Sequence, residues 1–262
     1  MKIDNKPLVS IIMPAYNAEN FITETINSVL DQTYDNWELI IVDDNSDDHT
    51  VSVVENYSDN RIRLLRNVSN QGVAQTRNAA IAETKGEYVA FIDSDDLWEA
   101  TKLERQMEAV ADKSAVLCYT SYDFIAEDGA KVLKPYIVST TTDFEHMLEE
   151  NVIGCSSVLV SKSVLDSIIG PFDDKFYHED YALWMELLNR SNNEQDLAEL
   201  MVIGVPDVLM HHRQVHTARS ISKTKAAKER WRIYRDKLHM SLGMSVKYMT
   251  KYFINGVKKY SK

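Results

Sequence analysis

The chain has 262 residues, 44% of them hydrophobic, enough for one large core or a core with a smaller lobe, and its net charge of −11 argues against wholesale nucleic-acid binding. Only Cys118 and Cys155 are present, which excludes a disulfide framework or a cysteine-rich zinc site and fits a reducing cytoplasm. No run is long and apolar enough to cross a membrane, and MKIDNKPLVSIIMP, broken by Pro14, is expected to be neither signal peptide nor anchor.

In chain order, Val9 to Met13 is a β-branched apolar run that predicts a buried strand. Asn17 can cap a helix through about Gln32, with Phe21, Ile26, Val29 and Leu30 as its apolar face. Glu38 to Val42 predicts a second buried strand, and DDNSDDHT leads into a helix starting near Asp47. Arg61 to Leu65 is a third strand; Asn70-Gln71-Gly72 then turns into a helix ended by Gly86, and Tyr88 to Ile92 is a fourth strand. Strand–helix repeats of this length predict an α/β fold with a doubly wound, mostly parallel sheet, in which ligands bind at the carboxyl ends of strands. PAYN, DDNSDD and DSDD all follow strands at that edge.

The second half is less regular. Val116 to Tyr119 and Ile153 to Val160 read as strands, with a hairpin around Glu127-Asp128-Gly129. DYALWMELLNR (180–190) has helical period, its apolar face being Tyr181, Leu183, Trp184, Leu187 and Leu188. Residues 201–205 and 208–210 read as short strands around Pro206, and the chain from about Ser222 reads as helical with a break at Gly243.

The cluster Asp93, Asp95 and Asp96 is costly unless something compensates its charge. Mg²⁺ and related hard cations take one or two carboxylates plus phosphate oxygens, so a D-x-D after a strand suits a metal–diphosphate. An isolated D-x-D also serves as a solvated turn with helix-capping acids, and Asp96 reads as such a cap or as a residue supporting the other two from behind. Asp43 and Asp44, just past a buried strand, can accept hydrogen bonds from a base or ribose; the alternative is a helix amino terminus decorated with acids, which suits Asp47 and Asp48 better.

At this point VSIIMPAYNAENFITETINSVLDQTYDNWELIIVDDNSDDHT, NQGVAQTRNAAIAETKGEYVAFIDSDD and YHEDYALWMELL resemble the family 2 glycosyltransferases of the GT-A fold, across the first 110 residues and again over 150–222. The resemblance implies an inverting enzyme that takes one sugar from a nucleotide-sugar, UDP-linked by expectation, with Mn²⁺ or Mg²⁺ as cofactor. It implies that Pro14, Ala15, Tyr16 and Asn17 pack on the nucleobase, and that Asp44, with Asp43 beside it, binds the base. Arg77 then lies near the diphosphate. Asp93, Ser94 and Asp95 match the D-x-D, the first nearer the ribose and the last on the metal. Asp180 in HED matches the catalytic base, with Glu179 next to it. One positioned carboxylate suffices to deprotonate an acceptor hydroxyl, whereas the alternative for Glu179 or Asp180 is a helix cap. SISKTKAAKERWRIYR further resembles bacterial enzymes of the capsule, teichuronic acid and lipopolysaccharide type, which implies a cell-surface glycan acceptor on a lipid carrier.

These motifs divide the chain into a glycosyltransferase domain over 1–218, with a nucleotide-binding half (1–110) and an acceptor half (111–218), and a basic helical tail over 219–262. In MHHRQVHTARSISK the family's R-x-H spacing is stretched, so His216 as a metal ligand and Arg213 or Arg219 on phosphate both stay open; His211 and His212 read as surface or packing residues. KERWRIY lacks the Gln of a processive synthase, Ala227 standing in its place, so Arg230 and Trp231 read as an ordinary basic helix with an aromatic packing residue. The tail from Arg219 carries 13 Lys+Arg against two acids, although the whole chain has 29 against 40. Met249, Tyr252, Phe253 and Val257 at helical spacing suit a helix on an inner-leaflet surface, a helix packed on the body, or a dimer contact. The location expected is cytoplasmic and peripheral to the inner membrane. Two other readings compete. A sugar nucleotidyltransferase would want a Gly-rich phosphate loop, which PAYNAEN and only 8 Gly do not offer. An inactive GT-A-like binding subunit would have no use for Asp44, Asp93, Asp95 and Asp180.

Overall fold

A computed structural model of the chain describes residues 6–113, 115–193, 201–215 and 223–260. Its described strands form one nine-stranded sheet. Val9–Ala15 (β1) lies between Trp37–Asp43 (β2) and Tyr88–Phe91 (β4), and Ile62–Arg66 (β3) flanks β2, every pairing being parallel. β1 and β2 are buried along their whole length because both faces are covered. Ile11, Met13, Leu39 and Ile41 face one core; Ile12, Ile40 and Val42 face the other. This is why each strand reads as continuously apolar.

The helices lie in two layers. Ile22–Leu30 (α1), Thr50–Glu55 (α2) and later Lys102–Lys113 (α4) feed the Ile11 core, whereas Val73–Ala82 (α3) feeds the Ile12 core. The strand order runs outward from β1 in opposite directions, with β2 and then β3 on one side and β4 on the other. Sheets with such a reversal place their ligands at the carboxyl ends of the two strands that flank it, here β1 and β4.

Beyond β4 the sheet becomes mixed. Leu97–Trp98 (β5) pairs antiparallel with Val202–Arg213 (β9), and Leu159–Ser161 (β8) runs antiparallel between β4 and Leu117–Ile125 (β6). β6 and β9 are parallel, and Lys131–Tyr136 (β7) forms the expected hairpin with β6 around Gly129, whose φ of 83° glycine tolerates best. Phe144–Glu149 (α5), Lys162–Asp166 (α6) and Glu179–Asn193 (α7) complete this half. The tail contains Lys223–Arg232 (α8), a π-helical turn over Ile233–Lys237 and Leu242–Tyr260 (α9).

Several expectations need correction. Asn17 does not cap α1, which begins at Ile22 after an uncapped Phe21; it adopts φ 50° and bonds a neighbouring loop instead. Ile153 to Val160 is not one strand, because a 3₁₀ turn over Cys155–Ser157 interrupts it. The two segments around Pro206 form the single strand β9, whose register against β6 shifts between Thr120 and Ser121 and so absorbs the proline. The break in the tail falls at His239 (φ 51°), not at Gly243, which lies in the first turn of α9. Arg230 is not an ordinary surface base. It is buried, stacked between the rings of Tyr181 (4.4 Å) and Tyr252 (4.3 Å), and donates to Tyr181 Oη and the carbonyls of Met147 and Leu148. Tyr248 and Met249 pack on the body, whereas Phe253 is 54% exposed.

Gly204 on β9 has a packing reason to be glycine. A Cβ there would stand 1.9 Å from the Ser139 carbonyl oxygen, and the Gly204 amide is held by Thr140 O. Gly204→Ala is expected to cost about 1–3 kcal/mol or more through forced backbone movement, read as a lower urea midpoint with an unchanged m-value.

Candidate active site

The loops after β1 and β2 are tied to each other. Asn17 N–H donates to Ser46 Oγ (3.0 Å) and Asp47 N–H to Asn17 Oδ1 (3.0 Å). Ala18 N–H donates to Thr50 Oγ1, and Glu19 N–H to Asp48 Oδ2. Left-handed Asn17 (φ 50°) and Asn45 (φ 64°) supply the tight turns, a conformation asparagine tolerates better than most residues. Pro14 and Ala15 are buried at the end of β1, and Tyr16 stands 51% exposed beyond them.

Asp43 and Asp44 are both almost fully buried at the end of β2 and do different work. Asp44 Oδ1 accepts from Asn67 Nδ2 (2.7 Å) and Gln71 N–H (2.8 Å), and Oδ2 from Gly72 N–H (2.8 Å). It therefore fixes the turn ahead of α3. Asp43 Oδ2 accepts from Ser46 N–H, but Asp43 Oδ1 is buried with no partner. An orphaned carboxylate oxygen is costly unless a ligand donates to it.

Arg77, on α3, joins the two halves. Its guanidinium, 4% exposed, contacts Asp93 Oδ1 (2.5 Å) after β4 and Glu179 Oε1 (2.7 Å) at the head of α7. Asp180, half-buried beside Glu179, shares this field. Burial raises its carboxyl above the usual range, with Asp93 adding to the rise and Arg77 opposing it. Cys155 stands in the same cluster, where burial raises its thiol pKa well above the usual value.

Asp95 and Asp96 are held from behind. Buried Asp96 accepts from Ser156 Oγ (2.5 Å), Arg213 N–H (3.0 Å) and His212 Nδ1 (3.1 Å), and Ser156 Oγ also accepts from Asp93 N–H. Burial disfavours its charge, but His212 and these donors hold its pKa below the usual value; Asp96 in turn raises the His212 imidazolium to about 9. Asp95 is pushed up to about 7, by burial first and then by Asp96 and Asp93. Ser94 offers its carbonyl to Thr25 Oγ1 (3.0 Å), which anchors the turn on α1.

Arg213 is wholly buried. It donates to Asp95 O (2.9 Å), Glu127 O (2.6 Å) and Glu24 Oε2 (2.6 Å), so its engaged groups face the protein and not an open phosphate site. His216 lies outside the described residues. Sequence reasoning allowed Asp96 a supporting place behind the D-x-D but missed its partners Ser156 and His212. Ser156 lies 60 residues from Asp96 and His212 lies 116 from it, so no local spacing signalled the contacts. His211, read as a surface or packing residue, is paired between Asp123 Oδ1 (2.5 Å) and Glu99 Oε1 (3.0 Å).

Among the described residues no three His, Cys, Asp or Glu side chains converge as a ready-made cation site. The residues nonetheless fit a cation that arrives with a diphosphate. A carboxyl held near neutrality by burial and two like charges, as Asp95 is, gains from a positive partner, and phosphate oxygens supply the remaining ligands.

Comparison with known proteins agrees. The family model described as "Glycosyl transferase family 2" matches residues 10–169. The putative teichuronic acid biosynthesis glycosyltransferase TuaG of Bacillus subtilis is 35% identical over 97% of this chain and 98% of its own length. The UDP-Glc:alpha-D-GlcNAc-diphosphoundecaprenol beta-1,3-glucosyltransferase WfgD of Escherichia coli is 34% identical over 97% of this chain and 95% of its own. Among solved structures, S. aureus TarS 1-349 in complex with UDP-GlcNAc superposes with a TM-score of 0.70 at 18% identity, over 97% of this chain and 76% of that one. The mannosyltransferase PcManGT of Pyrobaculum calidifontis, in complex with GDP-Man and Mn²⁺, gives 0.65 at 20% identity, over 91% and 66%. With the strand order reversing between β1 and β4 and acidic motifs after β2 and β4 at that edge, the chain belongs to glycosyltransferase family 2 and is a glycosyltransferase of the GT-A fold.

Proposed function

We propose that this enzyme moves one sugar, with inversion, from a UDP-sugar to a lipid-linked cell-surface glycan at the cytoplasmic face of the inner membrane. The observation that carries the reading is the Arg77 bridge. It links the strand end that would carry the donor (Asp93) to the helix head that carries Asp180. In this reading residues 1–110 hold the donor and 111–218 the acceptor. The relatives' names, a diphosphoundecaprenol glucosyltransferase and a teichuronic acid enzyme, support the acceptor class.

Tyr16, with Pro14, Ala15 and Asn17 shaping its loop, packs on the base, and Asp43 Oδ1 accepts from the nucleoside while Asp44 fixes the adjoining turn. Asp93 takes the ribose side, and Ser94 keeps the turn in place. Asp95, with Asp93 near it, would hold Mn²⁺ or Mg²⁺, which when bound neutralises charge on the departing diphosphate. His216 stays a candidate ligand on sequence grounds alone. Arg213 acts by bracing the Asp95 backbone. Asp180 takes the proton of the acceptor hydroxyl as that oxygen bonds the anomeric carbon; the bond from that carbon to the phosphate oxygen breaks, and the nucleoside diphosphate leaves with the electron pair. Glu179, paired with Arg77, keeps Asp180 in line.

Asp180→Asn is expected to lower kcat by roughly a hundredfold to ten-thousandfold while leaving UDP affinity by calorimetry nearly unchanged. Loss of UDP binding in that variant, or full activity, would refute the base assignment. A base must be ionised. Because burial raises the Asp180 pKa, kcat/KM is expected to fall as pH drops through that raised value and to level off above it. Asp43→Ala is expected to weaken UDP binding at least about tenfold with little change in Tm, whereas Asp44→Ala lowers both, since it also frees the Gln71 and Gly72 amides. A wild type that binds no nucleoside diphosphate in the presence of Mn²⁺ or Mg²⁺ would overturn the donor assignment. Binding without turnover of any donor would favour a glycan-binding subunit.

A further inference from the structure

The tail helix α9 has two apolar faces, and the body covers only one. Tyr248 and Met249 are buried in the core shared with α5 and α7, and Tyr252 packs on Arg230. On the outward side Leu242 (63% exposed), Val246 (50%) and Phe253 (54%) fall along one stripe of helical spacing, with Ile254 (49%) at its margin. A helix docked on its own domain has no folding reason to carry large apolar side chains on its solvent side, and exposed apolar groups in a contiguous stripe mark an interaction surface.

Charge selects the occupant. Lys247 lies exposed beside Val246, and Lys228 is exposed on the neighbouring α8. The sequence from Arg219 onward carries 13 of the chain's 29 basic residues and two of its 40 acidic ones, although Arg230 is buried and Arg232, Lys237 and Lys251 are paired with acids. A tail-to-tail contact between two copies would press like charges together. A reciprocal tail-to-body contact can close into a two-fold dimer, and it is the rival that the light-scattering measurement below reads. An anionic bilayer surface attracts the tail, accepts the stripe into its acyl boundary and repels the acidic body, so it also sets which way the molecule sits. Among the described residues no helix is long and apolar enough to cross a membrane, so the contact is a seat on the surface.

We propose that α9 seats the enzyme on an anionic lipid surface through Leu242, Val246, Phe253 and Ile254, with the flanking lysines on the headgroups. This stands apart from the sugar-transfer reading and shares with it only the presence of a bilayer.

Full-length protein is mixed with vesicles of phosphatidylcholine alone, or of phosphatidylcholine and phosphatidylglycerol in equal parts, and sedimented. The expected result is binding to the anionic vesicles, weakened by added salt and at least roughly tenfold weaker for Val246→Asp/Phe253→Asp at unchanged Tm. In case the double variant folds poorly, Phe253→Trp gives a second measurement: the indole emission it adds should be quenched by brominated acyl chains in anionic vesicles only. Protein left in the supernatant with anionic vesicles, or added indole emission that brominated chains fail to quench, overturns the proposal. So does light scattering that shows a dimer which the double variant breaks, without vesicle binding. UDP binding measured on the same samples keeps the two readings separable, since either can be lost while the other persists.

Discussion

A guanidinium almost without access to water is tolerable only among carboxylates, and Arg77 meets that constraint with one acid from each half of the molecule. Removing one member of such a buried pair typically costs about 3–5 kcal/mol, because the survivor keeps an uncompensated charge. The fold therefore does more than bring two halves onto one sheet. It gives them a shared electrostatic reason to stay at a fixed separation, with Asp93 on the strand side and Asp180 one residue beyond Glu179 on the helix side.

Asp96 plays the matching part at the other end of the D-x-D. It gathers a hydroxyl from the 3₁₀ turn, a backbone amide from β9 and an imidazole into one buried carboxylate. Arg213 reinforces it through the Asp95 carbonyl. Asp95 is thus left with little freedom to relax and with its charge poorly compensated, the condition under which a carboxylate is most useful to an incoming cation.

The first four strands and the three polar motifs at their ends were legible because parallel strands buried on both faces write unbroken apolar runs. Loops at their carboxyl ends must then be polar. The mixed second half was harder to read: Ile153 to Val160 is apolar enough for a strand, yet its backbone turns at Cys155–Ser157 so that Ser156 can reach Asp93 and Asp96. Asn17 satisfied the pattern of a helix cap, but a tertiary partner in the DDNSDD loop outcompeted the local one. The difference between Asp43 and Asp44 could not be seen in a DD dipeptide at all, since it depends on where residues 67 to 72 come to lie.

Arg230 ties the tail to α7, the helix that Glu179 and Asp180 head. It is wedged between Tyr252 of α9 and Tyr181, the residue that follows Asp180. Cutting the chain before α9 would strip one aromatic wall from that wedge and let slack reach the first turn of α7. A truncated enzyme that fails to turn over would then say nothing about anchoring. Because one buried side chain supports both α9 and the first turn of α7, the proposed lipid seat has to be probed by changes on the outer face of α9 alone.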